Sequence, residues 1–155
     1  MYHLKINRMN HTESALQYFR TGFNCAQSVL TPFRGQFDIS EDHCLKMACA
    51  FGAGMGKQQH TCGAVTGALM VLGLHFGKGK MDSNARKFKT YEKTVEFMNA
   101  FTEKHGSINC LELLDGLHMA IPEESKEIDT RELYRVRCTC YVSDAVQITE
   151  KLIGE

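Results

Sequence analysis

Apolar positions recur at intervals of three and four along most of the chain, and no Val/Ile/Thr alternation of the strand type accompanies them. The pattern predicts helices. The first covers Thr12 to Arg20 and stops at Gly22. A second starts near Asn24 and fades between Pro32 and Gly35. Ser40 is a good N-cap for a third, Glu41 to Phe51, with acids in its first turn. Gly52, Gly54 and Gly56 then interrupt helix. A fourth helix, about 62–76, is apolar on all sides, so the others should surround it. The fifth, Asp82 to His105, carries Ala85, Phe88, Tyr91, Val95, Met98 and Phe101 as one stripe, and Gly106 ends it. A short helix follows near Asn109 to Leu114. The polar, acidic stretch Glu123 to Thr130 reads as a surface loop. The last helix spans about Arg137 to Ile153, with Val142, Ala145, Val146, Thr149, Leu152 and Ile153 on its buried face. The expected fold is an all-α, single-domain bundle of about six to seven helices around the central apolar one, covering 1–155.

Composition changes this picture little. The 155 residues are enough for one core, 43% are hydrophobic and 23% charged, and the formal net charge is zero. Neither nucleic acid nor an anionic membrane surface is an expected partner. The apolar run Ala64 to Phe76 is shorter than the roughly 20 residues a membrane span needs, so membrane insertion is not expected. The N-terminal stretch Met1 to Asn10 has no signal-peptide pattern, and a cytoplasmic location follows as the expectation.

Seven cysteines do change it: Cys25, Cys44, Cys49, Cys62, Cys110, Cys138 and Cys140. A reducing compartment does not favour structural disulfides, and an odd count leaves one thiol unpaired in any case. Cys25, Cys62, Cys110 and Cys138 each fall at or near the start of an expected helix. That end carries roughly half a positive charge and free amides, which favour thiolate over thiol. Cys44 and Cys49 lie inside the third helix, five residues apart, and read as core residues. Cys140 follows Cys138 by two and stays ambiguous.

Gly63 and Gly67 sit four apart on one face of the central helix. Each costs roughly 0.5–1 kcal/mol against alanine, so another backbone or a bulky cofactor should lie close to that face. "GAGMGK" (Gly52 to Lys57) fails as a phosphate loop, which would need glycine at Phe51 and Ser or Thr at Gln58. It also fails as a dinucleotide fingerprint, which would need glycine at Lys57. It is either an ordinary loop or a nest of amides near an anionic centre. His60, two before Cys62, is a possible ligand or proton donor. No Cys-x-x-Cys, Ser-His-Asp or Glu-x-x-His pattern is present.

"FNCAQSVL" around Cys25, "FGAGMG" before "TCGAVTGALMVLGL", "INCLELL" around Cys110, and a late cysteine followed by "YV" together resemble the C_GCAxxG_C_C family of redox-active proteins. The resemblance covers roughly Ser14 to Leu152. The named element is Cys62, Gly63, Ala64, Val65, Thr66 and Gly67. The family's four cysteines map onto Cys25, Cys62, Cys110 and a fourth, Cys138, chosen because two residues separate it from Tyr141 and Val142. Cys140 competes for that place.

The resemblance implies redox chemistry without naming a reaction. Three readings follow. The four cysteines hold an iron–sulfur cluster and the protein transfers electrons. Alternatively it binds no cofactor and works by thiol–disulfide exchange, with Cys62 attacking. Or the four cysteines hold a zinc ion and the chain is a structural module, although spacings of 37, 48 and 28 residues are unlike the usual zinc modules. Whether the chain is a catalyst stays open at this stage. The implied partner is a redox protein or a small-molecule redox couple.

Overall fold

The computed structural model describes residues 9–154, and over that range the protein is all-α. In chain order the helices are α1 (His11–Arg20), α2 (Cys25–Leu30), α3 (Glu41–Cys49), α4 (Gly63–Phe76), α5 (Asn84–His105), α6 (Cys110–Leu113), α7 (Pro122–Thr130) and α8 (Thr139–Ile153). A 3-10 turn, Thr31–Gln36, continues α2. A π-helical segment, Tyr134–Cys138, leads directly into α8.

Side chains set the starts of α1, α2 and α3. Asn10 accepts the Glu13 amide while Glu13 reaches back to the Asn10 amide, and Asn24 and Gln27 repeat this reciprocal cap at α2. Ser40 accepts the His43 amide to open α3. Gly106 and Gly154 take left-handed φ values of 84° and 88° to end α5 and α8.

The apolar helix α4 is the hub. It packs against α2, α5 and α8, and α1 closes over α2 and α8. Phe33, Phe97, Phe101, Leu30, Leu72, Leu114 and Ile128 are the largest fully buried side chains of one continuous core. Among the described residues no helix is long and apolar enough to cross a membrane.

Three local expectations fail for identifiable reasons. The segment read as an acidic surface loop is helix α7. Pro122 occupies its first position, Glu123 and Glu124 complement the positive helix end, and Ile128 alone anchors it in the core. A single apolar anchor leaves no stripe to read. Cys49, read as core, lies exposed at the end of α3, whereas Cys44 is fully buried. The stripe on α5 is divided: Phe101 is buried, but Phe88, Tyr91 and Val95 face solvent.

Candidate functional site

Three devices bring Cys25, Cys62, Cys110 and Cys138 to one place. The first is the glycine pair. A Cβ on Gly67 would stand 2.7 Å from the Ala26 carbonyl oxygen and 3.1 Å from the Ala26 Cα. A Cβ on Gly63 would stand 3.0 Å from the Ala26 nitrogen and 3.1 Å from the Cys25 Cβ. The bare backbone of α4 therefore lies directly on α2, and Cys25, the first residue of α2, is pressed against the start of α4 beside Cys62. The close neighbour expected at these glycines is a helix backbone at Gly67. Gly63 both touches α2 and lines the cavity described below.

The second device is a minimal antiparallel bridge between Thr61 and Asn109. The Cys62 amide donates to the Ile108 carbonyl at 2.7 Å, and the Cys110 amide donates to the His60 carbonyl at 2.7 Å. This pairing sets Cys62 next to Cys110. His60 contributes only its backbone here, and its side chain is exposed. The neighbouring Gln59 is buried and fixes the strand-like segment from the other side. It donates to the Leu117 carbonyl and accepts the Met119 amide.

The third device joins α6 to the approach of α8. The Tyr141 hydroxyl donates to the Leu113 carbonyl at 2.9 Å. Arg137 donates to the same carbonyl and, with Arg131, pairs with Asp115. The two arginines hold the Asp115 carboxyl below the usual carboxylate range. Cys138 lies at the end of the π-helical segment. Such wide turns are frequent at functional sites because they re-aim side chains. Cys138 therefore does not sit at a free helix N-terminus, as the sequence implied. Cys25, Cys62 and Cys110 do.

The four sulfurs line one cavity of about 150 Å³. Its other walls include Phe19, Leu113, Leu114, Met119, Tyr134 and Tyr141. No lysine, arginine or histidine is among its lining residues. The Tyr141 position was signalled beforehand by the "YV" pair, and Leu113 and Leu114 lie in the "INCLELL" segment. The remaining wall residues come from separate segments, with no common spacing to find them by. Cys140 is exposed, and its thiol donates to the Val136 carbonyl at 3.4 Å, away from the cavity.

Electrostatics inside the cavity oppose the helix-end argument. The Ala64 and Val65 amides pull the Cys62 thiol toward ionisation, but burial outweighs them and pushes it up to about 12. Burial does the same to Cys110, again to about 12. Cys25 and Cys138 are hydrogen-bonded to each other. That contact favours Cys138 as the thiolate and lowers its pKa, while Cys25, the donor, is raised well above its ordinary value. Cys25 responds electrostatically to the other three and each of those to at least one of the set, as expected for thiols sharing one pocket. All seven cysteines are free thiols. Among the described residues no three His, Cys, Asp or Glu side chains are placed to hold a single metal ion.

The chain belongs to the family described as "Putative redox-active protein (C_GCAxxG_C_C)", which it matches over residues 23–152. It is also similar to an uncharacterized protein of Archaeoglobus fulgidus, with 30% identity over 135 residues, covering 81% of this chain and 82% of that protein. No solved structure matches it.

Proposed function

We propose that the cavity is a four-thiolate redox centre holding an iron–sulfur cluster on Cys25, Cys62, Cys110 and Cys138, and that the protein carries electrons. The observation behind this reading is the convergence of four thiols from four chain segments on one apolar cavity. A cavity of that size accepts a ligand roughly as large as benzene. A cluster distributes its thiolates over several irons, so it does not need three donors around one ion. A four-cysteine zinc site does need them, and the donor arrangement is against it.

When bound, such a cluster supplies a one-electron couple. The protein's part is local. Cys62 and Cys110, which burial otherwise keeps protonated, would give up their protons to solvent on becoming ligands. The Ala64 and Val65 amides then stabilise the Cys62 thiolate. Phe19, Met119, Tyr134 and Tyr141 keep water from the sulfurs. A cytoplasmic setting, with a redox protein or small redox couple as partner, accords with seven free thiols.

A second reading rests on the Cys25–Cys138 contact. These two thiols can give two protons and two electrons to an external disulfide, forming one protein disulfide and two small thiols. Cys62 is a poor attacking group in that scheme, because a thiol pushed up to about 12 is almost entirely protonated near neutrality.

The test is purification without air, reconstitution with ferrous iron and sulfide, and analysis of iron, labile sulfide and the visible spectrum. Bound iron and sulfide with visible absorption, lost on replacing any of the four cysteines with serine, is the expected result. A colourless, iron-free protein after reconstitution sinks the cluster. If Cys25 and Cys138 then resist alkylation after mild oxidation, the second reading takes its place.

A further inference from the structure

The first turns of α5 leave an apolar seam in water. Phe88, Tyr91 and Val95 are 63%, 59% and 56% exposed, although the opposite face of the same helix buries Phe97 and Phe101. The spacing of three and four, continued by Met98, is that of a two-stranded coiled-coil seam, with Phe88 and Val95 at a positions and Tyr91 and Met98 at d positions. A phenylalanine or tyrosine carries roughly 150–250 Å² of surface, so these two rings alone leave about 200–300 Å² exposed. A patch of that order lies near the size of the largest apolar patch on a typical monomer, which is often functional.

The charges flanking the seam say what covers it. In this frame Lys87 falls at g and Glu92 at the following e, five residues on. In a parallel pair of helices a g residue faces the partner's e residue at that offset. A second copy related by a two-fold axis along α5 therefore places Lys87 against the partner subunit's Glu92, and Glu92 against the partner's Lys87. An antiparallel pair would set like flank against like flank and lose both attractions. Within the chain, Lys87 lies over the Tyr91 ring and Glu92 pairs with Lys89. Both contacts are exposed and weak enough to yield. We propose that the protein forms a parallel homodimer along the Phe88–Tyr91–Val95 seam of α5. The proposal is independent of what the thiol cavity holds. The seam is smaller than the roughly 800 Å² per partner of a standard interface, so the dimer is reversible.

Sedimentation velocity of the full chain, from micromolar to near-millimolar concentration, tests it. The mass should rise from 17.5 kDa toward twice that value. Phe88→Glu should stay monomeric throughout while keeping the parental helical circular dichroism and melting temperature. Lys87→Glu and Glu92→Lys should each weaken the dimer roughly threefold or more, and the double reversal should restore it. A monomer at every concentration, a Phe88→Glu protein that still dimerises, or a double reversal that fails to restore pairing each overturns the proposal.

Discussion

The thiol cavity and the first half of α5 are built on opposite terms. Around the cavity the walls are tied to one another. Backbone lies on backbone at Gly67, two amides cross the Thr61–Asn109 bridge, and Arg137 ties α6 to the approach of α8. Along the first turns of α5, aromatic side chains stand in water and the ion pairs join near neighbours on one helix, such as Lys89 with Glu92. Short segments of little intrinsic helix stability, such as the four-residue α6, are thus tied to more distant parts of the chain than the first turns of a helix of 22 residues. Element length says little about where a fold is fixed.

Alkaline pH should break this contrast most strongly. Cys62 and Cys110 stay protonated in the folded, metal-free protein up to about 12, whereas the unfolded thiols ionise near 9.0. Their contribution is complete below about pH 9 and is lost as pH rises to about 12. The ceiling is about 4 kcal/mol for each thiol. Denaturant unfolding of metal-free protein across that window should show a falling midpoint. A midpoint that stays flat there would mean these thiols ionise in the folded state as easily as in the unfolded one.

The two faces of α5 offer the next contrast. Phe97→Ala empties a fully buried site and should cost about 3–5 kcal/mol. Phe88→Ala, measured at concentrations where the chain is monomeric, should stay within about 0.5 kcal/mol. Equal losses in thermal melts would mean the exposed ring has an intrachain partner.

Within α4 the same comparison can be made one glycine against another. Gly67→Leu should cost roughly 1–3 kcal/mol by overpacking, and Gly67→Ala should also destabilise, because its Cβ would meet the Ala26 carbonyl. Gly73→Ala meets nothing within 4 Å and should gain about 0.5–1 kcal/mol from propensity. A gain at both positions, read from chemical unfolding, would remove the packing role assigned to Gly67. The smallest effect is expected from Asp115→Asn. It weakens the link to Arg137 and Arg131, and should loosen the Cys110 side of the cavity. Slightly faster alkylation of Cys110, with little change in melting, is the expected readout.

Much of this was legible in the sequence. Seven helix spans were legible within a few residues, and the glycine pair announced a close approach that the α2–α4 contact supplies. The four cysteines could be picked out, but their meeting could not be derived. A two-residue bridge such as Thr61–Asn109 has no period to detect, and neither has an arginine reaching a carbonyl 24 residues away. Periodicity also reports only that a helix has an apolar face. For Phe88 and Tyr91 it could not say whether anything within the chain covers that face. The preference of helix ends for thiolate was sound locally, yet it lost to burial, which depends on segments far along the chain.

The glycine-rich segment before Cys62 remains. Ala53 through Lys57 form a left-handed turn, with φ between 52° and 67°, costing roughly 1–2 kcal/mol at each non-glycine residue. Gly54 admits no side chain there, since a Cβ would stand 2.5 Å from the His60 nitrogen. The amides of residues 55–60 all donate to backbone carbonyls of residues 50–55. None of these six is left to receive an anion. A stretch whose composition promises mobility should instead exchange its amide hydrogens as slowly as a helix. Deuterium uptake at Met55 to His60 should lag behind that of the first turn of α5, which makes this turn a rigid wall behind Cys62 and not a door.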